Sequence, residues 1–233
     1  MNYLVLGVLP YITVLIFVIG MAYRLYTWSK TPQPGALTLF PNPSPNSGLF
    51  MGVLKESFLF PGLFKGDKLF WGFSWFFHAS LALIALGHLR VFTGLIDSIL
   101  VGFGVNVELM SSAGGGVAGI VIMIAAVLLI GRRLTMKRVR QISGFPDFFA
   151  LLLITAIIVT GNWMRFGAHF DLAQTRVYFS ALLTFSYSAA IAPASGMFVL
   201  HFLLAQFLII LIPFSKIMHF GGVFFTQAVI QKS

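Results

Sequence analysis

The chain has 233 residues, 58% of them hydrophobic and 9% charged, with 15 Lys plus Arg against 6 Asp plus Glu and no cysteine. A soluble domain carries roughly 25% charged residues to keep its surface wet, so this composition points to a helical membrane protein. Disorder would need low hydrophobicity, and a transmembrane barrel would show short alternating segments.

A helix needs about 20 apolar residues to cross a hydrocarbon layer about 30 Å thick, and five runs supply them. The first covers about residues 3–23, uncharged until Arg24. It has neither a basic n-region nor a small-residue cleavage site, so it reads as a retained helix rather than a signal peptide. Residues 24–69 form a loop whose segment 31–47 holds Pro32, Pro34, Pro41, Pro43 and Pro45, a stiff stretch suited to docking. The second run covers about 70–92 and carries His78, His88 and, near its end, Arg90. Residues 95–110, with Asp97, Asn106 and Glu108, read as an interfacial helix and loop. The third run, about 113–131, opens on Gly114, Gly115 and Gly116, where a neighbouring helix can approach closely. The fourth covers about 148–163 and the fifth about 196–217; between them, residues 177–192 read as a second interfacial segment, rich in serine and closed by Pro193. The expected fold is all-α: a five-helix transmembrane bundle forming one domain over residues 1–233.

Charge placement orients the bundle. Arg24, Lys30, Lys55, Lys65 and Lys68 follow the first span, and Arg132, Arg133, Lys137, Arg138 and Arg140 follow the third. By the positive-inside rule both loops are cytoplasmic, with the N-terminus out and the C-terminus in. The basic segment 132–140 is thus a topology signal in contact with anionic lipid rather than a nucleic-acid site.

Without cysteine the chain can form no disulfide, protein-ligated iron–sulfur cluster, thiol nucleophile or c-type haem attachment. Any redox centre must rest on histidine or methionine. Four of the five histidines fall on the spans, where an ionisable side chain is expensive and signals function. His78 and His88 are ten residues apart on the second span, and His201 and His219 are eighteen apart on the fifth. At a rise of 1.5 Å per residue these separations are roughly 15 and 27 Å, too long for one shared metal. The two spans run antiparallel, so His78 lies at the depth of His219 and His88 at that of His201. One imidazole from each helix at each depth, between apolar walls, suits two six-coordinate b haems. Tilt, side-chain reach or a bend at Pro213 must absorb the difference in length. Gly72, Gly87, Gly196 and Gly221 would leave room for a flat macrocycle. His169, between Arg165 and Asp171, reads as a solvated loop residue.

Phe77-His78, Gly87-His88-Leu89-Arg90, Leu200-His201 and the block from Pro213 to His219 together resemble the cytochrome b subunit family of respiratory nitrate reductase, the gamma subunit type. Residues 58–61, 87–93, 183–186 and 219–224 are similar to the membrane subunit of the menaquinol-oxidising complex linked to dissimilatory sulfite reduction, and to heterodisulfide-reductase-linked relatives. The resemblance implies a multi-pass protein of the prokaryotic cytoplasmic membrane with two b haems, His78 with His219 inner and His88 with His201 outer. Menaquinol would be oxidised near the outer haem and electrons passed inward to a cytoplasmic iron–sulfur subunit, heterodisulfide-reductase-like or ferredoxin-like, with further membrane or outer-face subunits. No residue here aligns with the family's quinone-contacting lysine, so Gly87, Arg90 and Arg165 are the expected quinone-site groups. Arg90 and Lys216, close to ligands, are expected either to meet haem propionates or to snorkel to the interface. A proton-relaying transporter is the competing reading, and it predicts broken helices, midplane acids or an inverted repeat, none of which the sequence shows.

Overall fold

A computed structural model of the chain describes residues 3–30, 46–167, 171–193, 195–219 and 221–222. His169 and residues 31–45 of the proline-rich segment lie outside the described residues. A π-helical turn at Leu4–Val8 leads into α1 (Leu9–Lys30); α2 (Asn46–Leu59), α3 (Pro61–Gly66), α4 (Lys68–His88), α5 (Leu95–Gly102) and α6 (Val107–Leu109) follow. The remaining helices are α7 (Gly115–Thr135), α8 (Lys137–Gln141), α9 (Phe145–Phe166), α10 (Leu172–Leu183) and α11 (Gly196–Leu211). No strand occurs among the described residues.

Five helical stretches are long and apolar enough to cross a membrane: Leu4–Lys30, Lys68–Val91, Val107–Thr135, Phe145–Phe166 and Gly196–Phe214. They are the five expected spans with altered ends, and local chemistry accounts for the differences. Asp67 starts α4 by accepting a hydrogen bond from the Phe70 amide at 2.9 Å, and Asn106 starts α6 by accepting from Leu109 at 2.9 Å. Each supplies an acceptor to a helix N-terminus that has none of its own. The third span therefore begins at Val107, inside the segment 95–110 that reads as interfacial in the sequence, and it reaches α7 through a π-helical turn at Met110–Gly114. The fifth ends earlier than expected because Pro213 has no N–H to continue α11. Ser215 then takes an extended conformation and restarts the chain as a 3-10 turn at Lys216–Met218. His219 thus sits past the end of the span.

One stretch read as loop is helical, and the stretch read as an interfacial helix and loop starts earlier and buries one face. Residues 46–66 form α2 and α3, strapped to α4 by the Trp71 and Trp75 indoles, which donate to Leu59 O at 2.7 Å and Phe58 O at 3.1 Å. The segment expected to lie on the membrane begins five residues earlier, at α10, and buries Thr175, Tyr178, Ala181 and Leu182 along one face. Pro10 cannot donate the amide that would close on Leu6 O in an α-helix; the Tyr178 hydroxyl donates to that carbonyl instead, at 2.7 Å.

Within a bilayer, apolar side chains gain little by leaving lipid, so helices associate through close approach and polar contacts. The spans accordingly turn Leu15, Leu83, Ile124 and Phe207 outward and keep Thr13, Ser74, Ser80, Thr160 and Gln206 buried. α7 packs between α4 and α9, α9 meets α11, and α11 meets α1. At the α7–α9 crossing the Asn162 amide donates to Gly119 O at 2.8 Å. Where α1 meets the proline break, Gly20 leaves space that a Cβ would close to 2.8 Å from Pro213. Spans two and five are therefore positioned by three and four, an arrangement that sets their histidines facing each other.

Candidate functional site

Helix spacing alone brings no two of the four histidines together; packing pairs them. The His78 and His219 rings have centroids 6.0 Å apart, with planes at 89°. The His88 and His201 rings have centroids 6.3 Å apart, with planes within 16°. The pairs lie toward opposite ends of the bundle, one at the end of α4 nearer Asp67, the other where α4 gives way to the 3-10 turn Leu89–Val91. The break at Pro213 lets His219 meet His78 although the two sequence separations differ.

Each ring is fixed through Nδ1. His78 Nδ1 lies 2.7 Å from Ser74 O, His88 Nδ1 2.7 Å from Ile84 O, and His219 Nδ1 2.9 Å from Lys216 O. A carbonyl can only accept, so these three nitrogens carry the proton and Nε2 keeps a free lone pair. His201 Nδ1 instead lies 2.9 Å from Thr160 Oγ1 on α9. Beside it a Cβ at Gly161 would come within 3.2 Å of His201 Cε1, so Gly161 makes room for the ring. Phe60 sets its ring edge-on to His78 at 5.3 Å, held there by a left-handed backbone (φ 48°) just before Pro61. Neither Thr160, Gly161 nor Phe60 stands out in the sequence; a Thr-Gly pair at one helical depth with a histidine of another span was the available signal.

These residues suit haem better than a protein-caged metal. Among the described residues no three metal-ligating side chains gather, whereas a six-coordinate haem asks for only two. A metal–imidazole bond of about 2 Å on each side, plus roughly 1 Å from each nitrogen to its ring centre, requires about 6 Å between centroids. Both pairs have that spacing. At Gly72, Gly87 and Gly196 an added Cβ would meet nothing within 4 Å, whereas Gly221, also expected to leave room for a macrocycle, faces Met218 Cε at 3.0 Å.

Of the expected charged groups, Arg90 and Lys216 are already ion-paired. Arg90 Nε donates to Asp97 at 2.6 Å, Arg176 also pairs with Asp97, and Arg176 Nε donates to Arg90 O at 2.7 Å. This triad ties the end of span two to α5 and α10. The Arg90 and Arg176 guanidiniums hold the Asp97 carboxyl below the usual aspartate range. Arg165 lies against the first turn of α7, Nη2 3.0 Å from where a Cβ would sit on Gly115. Lys216 Nζ lies 3.0 Å from Asp147, in the first turn of α9. A shallow recess of about 520 Å³ beside Arg176 is lined by hydroxyls of Ser180, Thr184, Ser186 and Ser188.

Residues 61–229, which contain all four histidines, match the nitrate reductase gamma subunit family. The chain belongs to that family. Among curated relatives, the Hdr-like menaquinol oxidoreductase cytochrome b-like subunit of Archaeoglobus fulgidus is 33% identical, in an alignment covering 94% of this chain and 76% of that protein. The subunit of the same name from Archaeoglobus profundus is 29% identical over the same shares. Membership of the gamma subunit family and five apolar helices together make this a multi-pass membrane protein.

Proposed function

We propose that this chain is the membrane cytochrome b subunit of a menaquinol oxidoreductase complex, and that it carries electrons from quinol near the outer face to a cytoplasmic iron–sulfur subunit. The observation that carries the reading is the double pairing: two imidazole pairs at 6.0 and 6.3 Å, toward opposite ends of the bundle. The relatives named as Hdr-like menaquinol oxidoreductase subunits favour menaquinol and a heterodisulfide-reductase-like partner over nitrate reduction. Sulfur-compound respiration is the proposed setting.

His88 and His201 would hold an outer b haem, and His78 and His219 an inner one. When bound, such groups supply one-electron centres whose potentials follow ligand, hydrogen bonding and solvent exposure. The chain's residues orient them. Carbonyls of Ser74, Ile84 and Lys216 fix three ring tautomers with Nε2 free, and Phe60 and Phe77 set their rings edge-on to His78. Gly87 and Arg90, next to His88, are the proposed quinol-contacting groups, with Arg165 the further cation at that end. Lys216 is the proposed cationic group beside the inner site. The N-terminus is proposed to face out, so protons from quinol leave on the outer side.

Reduced-minus-oxidised spectra and haem quantification test the reading directly. The purified chain should carry about two b haems; His88→Ala or His201→Ala should remove one, and His78→Ala or His219→Ala the other. A colourless, folded preparation, or crossed losses between the pairs, would overturn it.

A further inference from the structure

Three of the four histidines bond through Nδ1 to a carbonyl within their own helix or turn, three or four residues earlier. His201 alone reaches across to a side chain of another span, Thr160 Oγ1 at 2.9 Å. That hydroxyl is buried and lies 2.9 Å from Ala156 O and 3.0 Å from Ile157 O. Its single proton is therefore engaged by its own helix, leaving an oxygen lone pair directed at His201. Gly161 completes the seat, since any larger residue would press on His201 Cε1.

We infer that Thr160 is a positioning residue for the outer haem: it accepts the His201 Nδ1 proton, fixes the ring with Nε2 free, and sets the potential of that haem separately from the inner one. The inference rests on the proposed ligand role of His88 and His201. A partner that accepts from Nδ1–H makes the imidazole a stronger donor at Nε2 and favours the oxidised metal. A hydroxyl is a weaker acceptor than the peptide carbonyls serving the other three rings, and the Ile157 carbonyl that also faces His201 is shared with the Thr160 proton, so the arrangement holds the outer haem at a higher potential than an unshared carbonyl partner would. For electrons moving inward that placement moderates the drop between the two sites. It is also the one such contact that a side-chain substitution can remove.

Redox titration of both haems in membranes holding the full chain and its complex tests this, in wild type, Thr160→Val and Thr160→Ser. Thr160→Val is isosteric but cannot accept the proton. It should shift the midpoint potential of the His88/His201 haem upward, leave that of the His78/His219 haem in place, and be rescued by Thr160→Ser. If Thr160→Val instead loses haem, loss of the outer one alone, with retention in Thr160→Ser, supports the inference. Unchanged potentials, equal shifts at both haems, loss of both haems, or a serine variant that behaves like valine would overturn it. Failure of the underlying ligand reading is separately visible: His88→Ala would then leave the haem content of the wild-type background unchanged.

Discussion

Asp97 shows how one carboxylate can organise an end of the molecule. It receives Arg90 from the end of span two and Arg176 from α10, while Arg176 also holds Arg90 O, so three elements converge on one charge. Both arginines lower its carboxyl below the ordinary 3.8. A depressed carboxyl contributes stability that is fully present above its unfolded value and is lost as pH falls through its folded one. Thermal denaturation in detergent should therefore show a plateau from neutral pH down to about pH 4 and a fall below it. Asp97→Ala should lower stability by about 1–2 kcal/mol at neutral pH and flatten the acid limb. Asp67, lowered by the Phe70 amide and then by Arg132, acts in the same direction. At this scale the sequence already offered the four histidines, because ionisable residues are rare and costly in a span. It could not offer Thr160, whose role exists only through a contact 41 residues away.

Among the elements, α7 sets the spacing of the bundle. Its buried face is Gly116, Ala118, Gly119, Ile122, Ala125 and Ala126, small enough for α4 and α9 to approach from two sides. A Cβ at Gly119 would overlap the Asn162 amide, which donates to the Gly119 carbonyl. Gly119→Leu should therefore force α9 away, cost about 1–3 kcal/mol by overpacking, and disturb the outer site through Thr160 and Gly161 on the same helix. Gly131→Ala, on α7 with Gly119 but with open space at its Cβ, should be neutral or slightly stabilising. Unfolding curves and haem spectra of the two variants make the comparison. The small-residue stripe was readable in the sequence as a run of glycines at the start of the third span. Its partner was not, because close approach needs a matching surface on a helix that periodicity does not name.

For the whole molecule, the cations that orient the chain also tie its elements together. Arg24 Nε donates to Pro213 O at 3.0 Å, Arg132 meets Asp67 at 3.3 Å, and Lys216 meets Asp147 at 3.0 Å. All lie at the end of the bundle that holds the His78–His219 pair. On the proposed orientation this end is cytoplasmic. The chain has no cysteine of its own, so single cysteines can be introduced without altering the background. Lys137→Cys should be labelled by an impermeant thiol reagent only after the membrane is opened, and Asn106→Cys on intact cells; the reverse pattern would invert the topology.

Composition, apolar run length and scarcity of charge were enough to establish the membrane class, the five spans and the four histidines, because in lipid each of these is dictated locally: a helix must satisfy its own backbone, and a polar side chain must have a reason to be there. Helix ends were less legible, since caps such as Asn106 and the break at Pro213 depend on single residues within otherwise continuous apolar sequence. The antiparallel spans already matched the histidines by depth, but how closely their rings approach, which hydroxyl holds His201, and how α10 folds back to cover Leu6 were decided only in three dimensions. Those features depend on which helices lie side by side, and that order, two-three-four-five-one, follows from how small residues and polar contacts fit across the bundle rather than from any one segment.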